Sequence, residues 1–306
     1  MIASGHAAPM RGARFVDPKV LGRIRNLELL ARSVVDGFIN GLHRAPHLGF
    51  SLDFAEHRGY EPGDDLRRID WRVFARTDRF YVKQFEADSN ANCVVALDVS
   101  TSMRYGTRGI TKLDYGRYLA ASLLYFSHTQ RDRIGLVTFD SDIVDYVPAS
   151  AKHLEFALYA LDRISEPRPG SLRAPILEMT ERLRRRGIVA IVSDLYDEAD
   201  AVAEAIKPLR FQGHDVIVFH VLDPSEIEFP FEEASSFADL ETGERIPVVP
   251  EALREQYKAL VSGHVESLSR SFTGARIDYS LFDTSVPLDY ALFRYLSTRE
   301  RLSRVR

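Results

Sequence analysis

Residues 94–103 (V-V-A-L-D-V-S-T-S-M) place one carboxylate and two hydroxyls directly after a short apolar run. The run is rich in Val and predicts a strand that is buried on both faces. Asp98 ends the run, and Ser100 and Ser102 follow at alternate positions. Carboxylate and hydroxyl oxygens are hard donors that suit Mg²⁺ and similar cations. The segment therefore predicts the first loop of a metal site. The simpler alternative is that these side chains only cap the next turn.

A second aspartate is expected beside this loop. Residues 188–193 form another apolar run, and Asp194 follows it. From residue 94 onward, apolar strands alternate with helical patterns, which predicts a mostly parallel sheet with helices on both faces. Such doubly wound α/β sheets bind ligands at the carboxyl ends of their strands, where the strand order reverses. If the sheet winds outward from its first strand, Asp98 and Asp194 flank that point.

The elements that must position these residues follow from the hydrophobic pattern. Helices are predicted over 113–128, 154–164, 172–186, 199–209, 251–272 and 288–302. Strands are predicted over 94–98, 134–139, 143–147, 188–193, 215–222 and 276–282. The connection before 143–147 is too short for a crossover, so this strand should pair antiparallel with 134–139 at the sheet edge. A hairpin insertion is expected near 237–249.

The residues before this sheet are predicted to form a helix and a small β-containing subdomain. Asp17-Pro18 is a suitable helix start, and apolar residues recur at helical spacing up to Ile39. Alternating segments at 50–54 and 80–85 indicate strands. The expected organisation is a disordered leader (1–16), the N-terminal helix and subdomain (17–92) and the main α/β domain (93–306).

Residues 56–79 carry dense charge of mixed sign and the only tryptophan. One interpretation is a solvated or internally ion-paired surface. The other is a docking surface for a protein partner, with tryptophan and arginine side chains as anchors. The residues assigned to that docking surface are Arg58, Asp64, Arg67, Trp71 and Arg76.

Composition limits the class of protein. The formal net charge is −4, which gives no support to extensive nucleic-acid binding. Cys93 is the single cysteine, so an internal disulfide is excluded and a reducing compartment is expected. No apolar run approaches the ~18–20 residues that span a bilayer. The sequence also lacks the G-x-S-x-G, G-x-x-x-x-G-K-[ST] and H-E-x-x-H patterns of several enzyme classes.

Two motifs together resemble a known family. The D-V-S-T-S run at 98–102 is similar to the metal-ion-dependent adhesion site of von Willebrand factor A domains, which is D-x-S-x-S followed by a distal Thr and a distal Asp. Residues 54–77 (F-A-E-H-R-G-Y-E-P-G-D-D-L-R-R-I-D-W-R-V-F-A-R-T) resemble the signature of the bacterial domain-of-unknown-function family fifty-eight, which carries a von Willebrand A-like domain. This resemblance implies a von Willebrand A or Rossmann-like fold, a cytoplasmic protein and no enzymatic activity.

The resemblance also assigns ligands and a partner. Asp98, Ser100 and Ser102 match the first motif, Asp194 in S-D-L-Y-D matches the distal aspartate, and Ser171 stands where the family has its distal Thr. The implied cofactor is Mg²⁺, with Mn²⁺ or Ca²⁺ as alternatives. The implied partner is a MoxR-type AAA+ ATPase, or another protein that presents an acidic residue.

Three functions are open on this basis. The first is a non-enzymatic interaction module, an adaptor or co-chaperone whose bound cation engages an acidic group of the partner. The second is a metal-dependent phosphoester hydrolase. The third is a scaffold with a degenerate metal site, an alternative that the serine at position 171 raises.

Overall fold

The computed structural model describes residue 21 and residues 26–43, 56–59, 81–84, 91–164 and 168–304. The strands are β1 (Glu56–Gly59), β2 (Tyr81–Gln84), β3 (Asn92–Asp98), β4 (Arg133–Phe139), β5 (Ile143–Ser150), β6 (Gly187–Ser193), β7 (Asp215–Leu222), β8 (Ser235–Ala238), β9 (Arg245–Val248) and β10 (Asp278–Asp283). The helices are α1 (Leu27–His43), α2 (Lys112–Thr129), α3 (Leu154–Asp162), α4 (Arg173–Arg182), α5 (Ala199–Phe211), α6 (Pro224–Glu228), α7 (Pro250–Gly274) and α8 (Leu288–Arg304).

The central sheet has six strands in the order β10-β7-β6-β3-β4-β5. Neighbouring strands pair parallel except for β4 and β5, which pair antiparallel at one edge. Within this sheet, β3 is the first strand along the chain. The chain then continues outward to β4 and β5 and returns to β6, which pairs with the other side of β3. The predicted doubly wound sheet with one antiparallel edge strand is therefore confirmed, and its strand order reverses between β3 and β6.

The apolar run that ends at Asp98 is buried on both faces of this sheet. Val95 and Leu97 pack into the core on one face, and Val94 and Ala96 pack into the core on the other. This division follows from the alternation of side chains along a strand. Helices α1, α2, α3 and α8 cover the first face, and α4, α5 and α7 cover the second. Because both faces are covered, the run is continuously apolar.

Helix α1 shares the core of the central sheet. Its buried residues join the apolar cluster on the α2 side, and they are Leu27, Leu30, Ala31, Val34 and Val35. The side-chain oxygen of Asn26 accepts a hydrogen bond from the Leu29 amide at 3.1 Å, which caps the helix. Asn26 itself is not helical, so the helix described here starts after it and runs past the predicted end near Ile39.

Predictions for the N-terminal part are tested only in places. Strands β1 and β2 pair antiparallel with each other, and β2 falls inside the alternating segment predicted at 80–85. The helix start at Asp17 and the strand at 50–54 lie outside the described residues. The division into 1–16, 17–92 and 93–306 stays a prediction.

Most elements of the main sheet lie close to their predicted limits, with two differences. Helix α4 ends at Arg182, short of the predicted 186, because Leu183 leaves the helical conformation and its side chain is buried. The short helix α6 was not predicted, although Asp223 and Glu226 form a capping box at its start.

Two further sequence features have a structural counterpart. Cys93 is buried and free, and burial raises the pKa of its thiol to about 11, so the thiol stays protonated and unreactive near neutral pH. In the part of the chain that the structure covers, no helix combines the length and the apolar character that crossing a bilayer requires.

Candidate metal site at the carboxyl edge of the sheet

Each of the five mutually parallel strands ends at an aspartate. Asp98 and Asp283 are the last residues of β3 and β10, and Asp140, Asp194 and Asp223 directly follow β4, β6 and β7. Parallel strands share one carboxyl edge, so these carboxylates lie along the same side of the sheet. Their partners decide which of them remains available to a ligand.

Two of these aspartates hold loops in place. The guanidinium of Arg168 donates to both oxygens of Asp140, at 2.9 and 3.2 Å. Asp223 accepts hydrogen bonds from the hydroxyls of Thr107 and Ser225, both at 2.7 Å. Burial raises the pKa of Asp223, but these hydrogen bonds outweigh it and hold the pKa below its usual range. Both carboxylates are thus satisfied by the protein itself.

Asp194 is bound by a buried lysine. The Nζ atom of Lys112 lies 2.8 Å from Asp194 Oδ2 and 2.8 Å from Glu226 Oε1, and it donates to the Tyr196 hydroxyl at 3.2 Å. These contacts use all three donors of the ammonium. Burial lowers the pKa of Lys112, but the two carboxylates outweigh it and the net shift is upward. The lysine therefore stays charged, and its single positive charge is shared by Asp194 and Glu226.

Local sequence explains why a lysine stands at this point. Thr111 and Asp114 form a capping box that starts α2 at Lys112, with the Asp114 amide donating to Thr111 Oγ1 at 3.0 Å. A cation in the first turn of a helix is opposed by the helix dipole, at a cost of about 0.3–1 kcal/mol. The carboxylates of Asp194 and Glu226 offset this cost because they lie in direct contact with the ammonium.

Asp98 receives its described hydrogen bonds from neutral donors. The Ser193 hydroxyl donates to Asp98 Oδ2 at 2.6 Å, and the Ser100 amide donates to Oδ1 at 2.9 Å. Burial, followed by the charge of Asp194, raises the pKa of Asp98 to about 7. No described residue gives Asp98 a cationic partner, so its carboxylate is buried and uncompensated once it ionises, and buried charges of this kind are typically paired or bound to a metal.

The two hydroxyls of the motif converge beside Asp98. The Oγ atoms of Ser100 and Ser102 lie 3.1 Å apart, and both side chains are buried. A short 3₁₀-helix at Ser102–Arg104 turns the chain here and leads toward α2. One carboxylate and two hydroxyls from a single turn form a hard-oxygen donor set. Mg²⁺ usually keeps several waters, so this set fits such an ion.

The loop at 168–171 packs closely over the first motif. A Cβ atom at Gly170 would lie 2.5 Å from the Cβ of Ser100, so only glycine permits this approach. The Ser171 amide donates to the Asp140 carbonyl at 3.3 Å, while the Ser171 side chain is exposed. The loop thus reaches the site through its backbone, and the role of Ser171 as a ligand stays a prediction.

The turn that carries Asp194 is strained. Leu195 has a φ of 49°, in the left-handed region that costs a residue other than glycine about 1–2 kcal/mol. Its amide donates to Ser193 Oγ at 3.1 Å, and Nε2 of His264 lies 2.9 Å from its carbonyl oxygen. Strain of this kind is typical of functional sites, and here it lies in the residue directly after Asp194.

The donor set differs from that of a zinc or calcium cluster. Within the described ranges, no three His, Cys, Asp or Glu side chains converge as metal ligands. The candidate site instead combines Asp98 with hydroxyls, while its second carboxylate is held by Lys112. Hard oxygen donors of this kind are compatible with Mg²⁺ rather than with a soft-ligand metal.

Comparison with known proteins places the chain in a family. The family model described as "Protein of unknown function DUF58" matches residues 56–267, more than half of the sequence. The chain belongs to this DUF58 family. The match includes β3, β6 and the loops of the candidate site.

Curated relatives of this DUF58 chain come from mycobacteria. The uncharacterized protein Rv1480 of Mycobacterium tuberculosis is 28% identical over 305 residues, covering 97% of this chain and 95% of that protein. The uncharacterized protein Mb1516 of Mycobacterium bovis shows the same identity and coverage.

Solved structures similar to the DUF58 chain were also found. The conserved hypothetical protein BatB from Bacteroides thetaiotaomicron has 19% identity and a TM-score of 0.47, covering 69% of this chain and 99% of its own. The VWA domain of SpRpn10 has 11% identity and a TM-score of 0.38, covering 66% of this chain and 93% of its own.

The structure brings part of the predicted site of this DUF58 chain together. Asp98, Ser100 and Ser102 share one turn, and Asp194 follows the neighbouring strand and affects the pKa of Asp98. Whether these residues bind a metal stays a prediction. The docking residues Asp64, Arg67, Trp71 and Arg76 lie outside the described residues, and the side chain of Arg58 does too, although its backbone forms part of β1.

Sequence reasoning missed three charged residues of this site, Lys112, Glu226 and Glu241. Lys112 forms ion pairs with both Asp194 and Glu226. Glu241, in the turn between β8 and β9, accepts a hydrogen bond from the Ser102 amide at 2.7 Å. A lysine at the first position of a helix was a usable signal, because it opposes the helix dipole. Glu241 gave no comparable signal, since its contact spans 139 positions.

Proposed function

We propose that this DUF58 chain is a non-enzymatic protein-interaction module that binds Mg²⁺ through Asp98, Ser100 and Ser102. The observation that supports it most is the Asp98 carboxylate, which is buried, has neutral donors as its described partners, and lies beside two converging hydroxyls. Asp194 is proposed to contribute through water, because Lys112 holds one of its oxygens. Ser171 is proposed as an outer ligand on the family resemblance alone. Mn²⁺ and Ca²⁺ are expected to compete for the same oxygens.

The proposed partner presents an acidic side chain to this edge of the sheet. A divalent cation with Asp98 as its one direct carboxylate ligand keeps a net positive charge in its own coordination shell, which attracts a Glu or Asp of another protein. The family resemblance names a MoxR-type AAA+ ATPase as that partner, with this chain as adaptor or co-chaperone. A cytoplasmic location is proposed with it, supported by the single free thiol at Cys93.

Metal binding is tested by thermal unfolding of the full chain with and without Mg²⁺. Wild-type protein is expected to gain stability as Mg²⁺ is added, because an ion that binds only the folded state stabilises it. Asp98→Asn should abolish the gain. Asp142→Asn is the matched control, since Asp142 is an exposed aspartate after the next strand. Equal gains in wild type and Asp98→Asn would overturn the proposed site.

Partner binding is tested separately with a MoxR-type ATPase from the same organism. Association measured by biolayer interferometry should require Mg²⁺ and be lost with EDTA or in Asp98→Ala. Binding that persists in EDTA would exclude a metal-bridged interface. The Asp142→Asn variant should bind as the wild type does.

A scaffold without a resident metal is the second candidate, and Lys112 is the observation that favours it. The Lys112 ammonium already supplies a positive charge to Asp194, beside the point between β3 and β6 where the strand order of the sheet reverses. This function predicts no Mg²⁺-dependent stabilisation of wild-type protein. The thermal experiment therefore separates the two candidates directly.

A further inference from the structure

The carboxylate of Glu241 is held by backbone amides from both loops of the candidate site. The Ser102 amide donates to Glu241 Oε1 at 2.7 Å, and the Gly170 amide donates to Oε2 at 2.8 Å. Both oxygens of one side chain are thus engaged, each by a different loop. Hydrogen bonds from amides to an ionised acceptor are shorter and stronger than those between neutral groups.

The two amides are presented as a pair by the packing of their loops. Gly170 approaches Ser100 so closely that a Cβ atom would lie 2.5 Å from the Ser100 Cβ. The Ser171 amide is tied in turn to the Asp140 carbonyl, and Arg168 is tied to the Asp140 carboxylate. The two amides that bind Glu241 therefore belong to loops at the carboxyl edge of the sheet, and the hairpin contributes only the carboxylate.

The turn that carries Glu241 has its own internal hydrogen bonds. Asp239 Oδ1 accepts from the amides of Glu241 and Thr242, at 2.8 and 3.3 Å. Gly243 has a φ of 74°, which glycine adopts readily, and its amide donates to the Asp239 carbonyl at 2.8 Å. This geometry holds Glu241 at the tip of the β8–β9 hairpin.

The β8–β9 hairpin is short and weakly attached, so it can move away from the site. Strands β8 and β9 have four residues each, and among the described strands they pair with each other alone. An isolated two-stranded hairpin is marginally stable. The half of β8 nearer the turn is held by aromatic contacts, because the Phe237 ring packs against Phe229 and Phe231 with ring centroids 5.8 and 4.9 Å apart. Withdrawal of the turn at 239–243 would break the two Glu241 hydrogen bonds and leave these ring contacts in place.

We propose that the Ser102 and Gly170 amides form a carboxylate-binding site that Glu241 occupies from within the chain. An acidic side chain of a protein partner takes the same two amides when the hairpin tip withdraws. The identity of the occupant that replaces Glu241 rests on the proposed function, whereas the occupation by Glu241 does not depend on a metal. The hairpin thereby sets the affinity of the site for external acidic groups.

The experiment uses a peptide from the chain itself as a probe. A fluorescein-labelled peptide with the sequence of residues 237–246 is titrated into metal-free full-length protein and followed by fluorescence anisotropy. Glu241→Gln should bind the peptide at least about tenfold more tightly than the wild type does. In the wild type, the chain's own Glu241 competes with the peptide at an effective concentration in the millimolar range. Glu244→Gln is the matched control and should bind as wild type does, since Glu244 is exposed on the same hairpin.

Two results would overturn this inference. One is equal peptide affinity in wild type and Glu241→Gln, and the other is no binding to Glu241→Gln at millimolar peptide. A peptide carrying Gln in place of Glu241 should bind neither protein.

As a second readout, amide hydrogen exchange at 100–104 and 168–172 should accelerate in Glu241→Gln and stay unchanged in Glu244→Gln. If Mg²⁺ fails to stabilise the wild type, the metal site fails, but the metal-free titration still decides this inference.

Discussion

Lys112 Nζ and Asp194 Oδ2 lie 2.8 Å apart, and both side chains are buried. The distal aspartate that the family resemblance assigns to a metal is therefore already paired with a protein cation. Asp98, at the end of the adjacent strand, has neutral hydrogen-bond donors as its described partners. The two carboxylates at the switch point of the sheet thus differ in their charge balance, and this difference can be measured.

Replacing Lys112 by Met should strongly destabilise the protein. The substitution leaves the buried Asp194 and the partly buried Glu226 without their cation, and breaking a buried ion pair on one side costs about 3–5 kcal/mol. Urea unfolding at pH 7 measures the loss. Lys207→Met is the control, because the surface pair of Lys207 with Glu204 should contribute less than about 1 kcal/mol.

A second substitution tests whether charge, rather than packing, causes this loss. Lys112→Met combined with Asp194→Asn removes one of the two stranded carboxylate charges, so it should recover part of the stability. A double variant no more stable than Lys112→Met alone would contradict the assigned role of the pair.

Replacing Asp98 by Asn should stabilise the metal-free protein at pH 8. The folded-state pKa of Asp98 is raised to about 7, so between about pH 4 and 7 the folded state binds more protons than the unfolded state. The free energy of unfolding therefore falls as the pH rises through this window. The loss is at most about 4 kcal/mol, from about 1.4 kcal/mol per pKa unit, and Asp98→Asn should remove it.

The comparison for Asp98 is another buried strand-end aspartate. Asp140→Asn should destabilise the protein, because Asp140 is paired with the guanidinium of Arg168. Urea titrations with EDTA at pH 5 and 8 give both values. A loss of stability in Asp98→Asn at pH 8 would show that its charge is compensated by a group that the structure does not describe.

Replacing Gly170 by Ala should separate the two loops of the site. The new Cβ would lie 2.5 Å from the Ser100 Cβ, so the loop at 168–171 must move away. The hydrogen bond from the Gly170 amide to Glu241 should then be lost, with faster amide exchange at 100–104 and weaker stabilisation by Mg²⁺. Gly263→Ala is the control, since nothing lies within 4 Å of the added atom and alanine favours the helix by up to about 1 kcal/mol. Unchanged exchange in Gly170→Ala would refute the tight approach.

His220 should make the protein sensitive to acid. Burial, followed by the nearby His264, lowers the pKa of His220 to about 3, so the folded state holds it neutral. Between pH 6.5 and 3 the unfolded state binds more protons, and the free energy of unfolding falls by about 1.4 kcal/mol per pH unit as the pH drops.

The acid effect of His220 is best measured in the Asp98→Asn background, because the titration of Asp98 acts in the opposite direction between about pH 4 and 7. Adding His220→Gln should flatten the pH dependence while keeping a polar partner for the Tyr279 hydroxyl, which lies 2.7 Å from Nδ1 of His220. An equal slope with and without His220→Gln would contradict the prediction.

The fold was largely predictable because its core strands are continuous apolar runs. Strand β7 has the predicted limits, and the antiparallel edge strand follows from the short β4–β5 connection. The position of Asp194 beside the Asp98 loop follows from the same topology, since β3 and β6 pair directly. Period and loop length therefore suffice to place both aspartates.

The charge partners of the site could not be predicted in the same way. Lys112 and Glu241 reach the site from a helix start and a hairpin turn, and no local pattern links them to Asp194 or Ser102. Such contacts depend on where distant elements pack, which sequence periodicity does not specify. The helix boundary at Asn26 was missed for a different reason, because an apolar pattern continues across a capping residue without change.

The position of helix α1 has a consequence for dividing the chain. The family match starts at residue 56, but Leu30, Ala31 and Val34 of α1 are fully buried in the core of the central sheet. A fragment that starts at the family boundary would leave the α1-facing surface of α2 and α8 open to water. Large apolar patches of this kind lead to self-association. The unit that folds is therefore larger than the segment that the family model matches, and α1 should be retained in any fragment used to study the site.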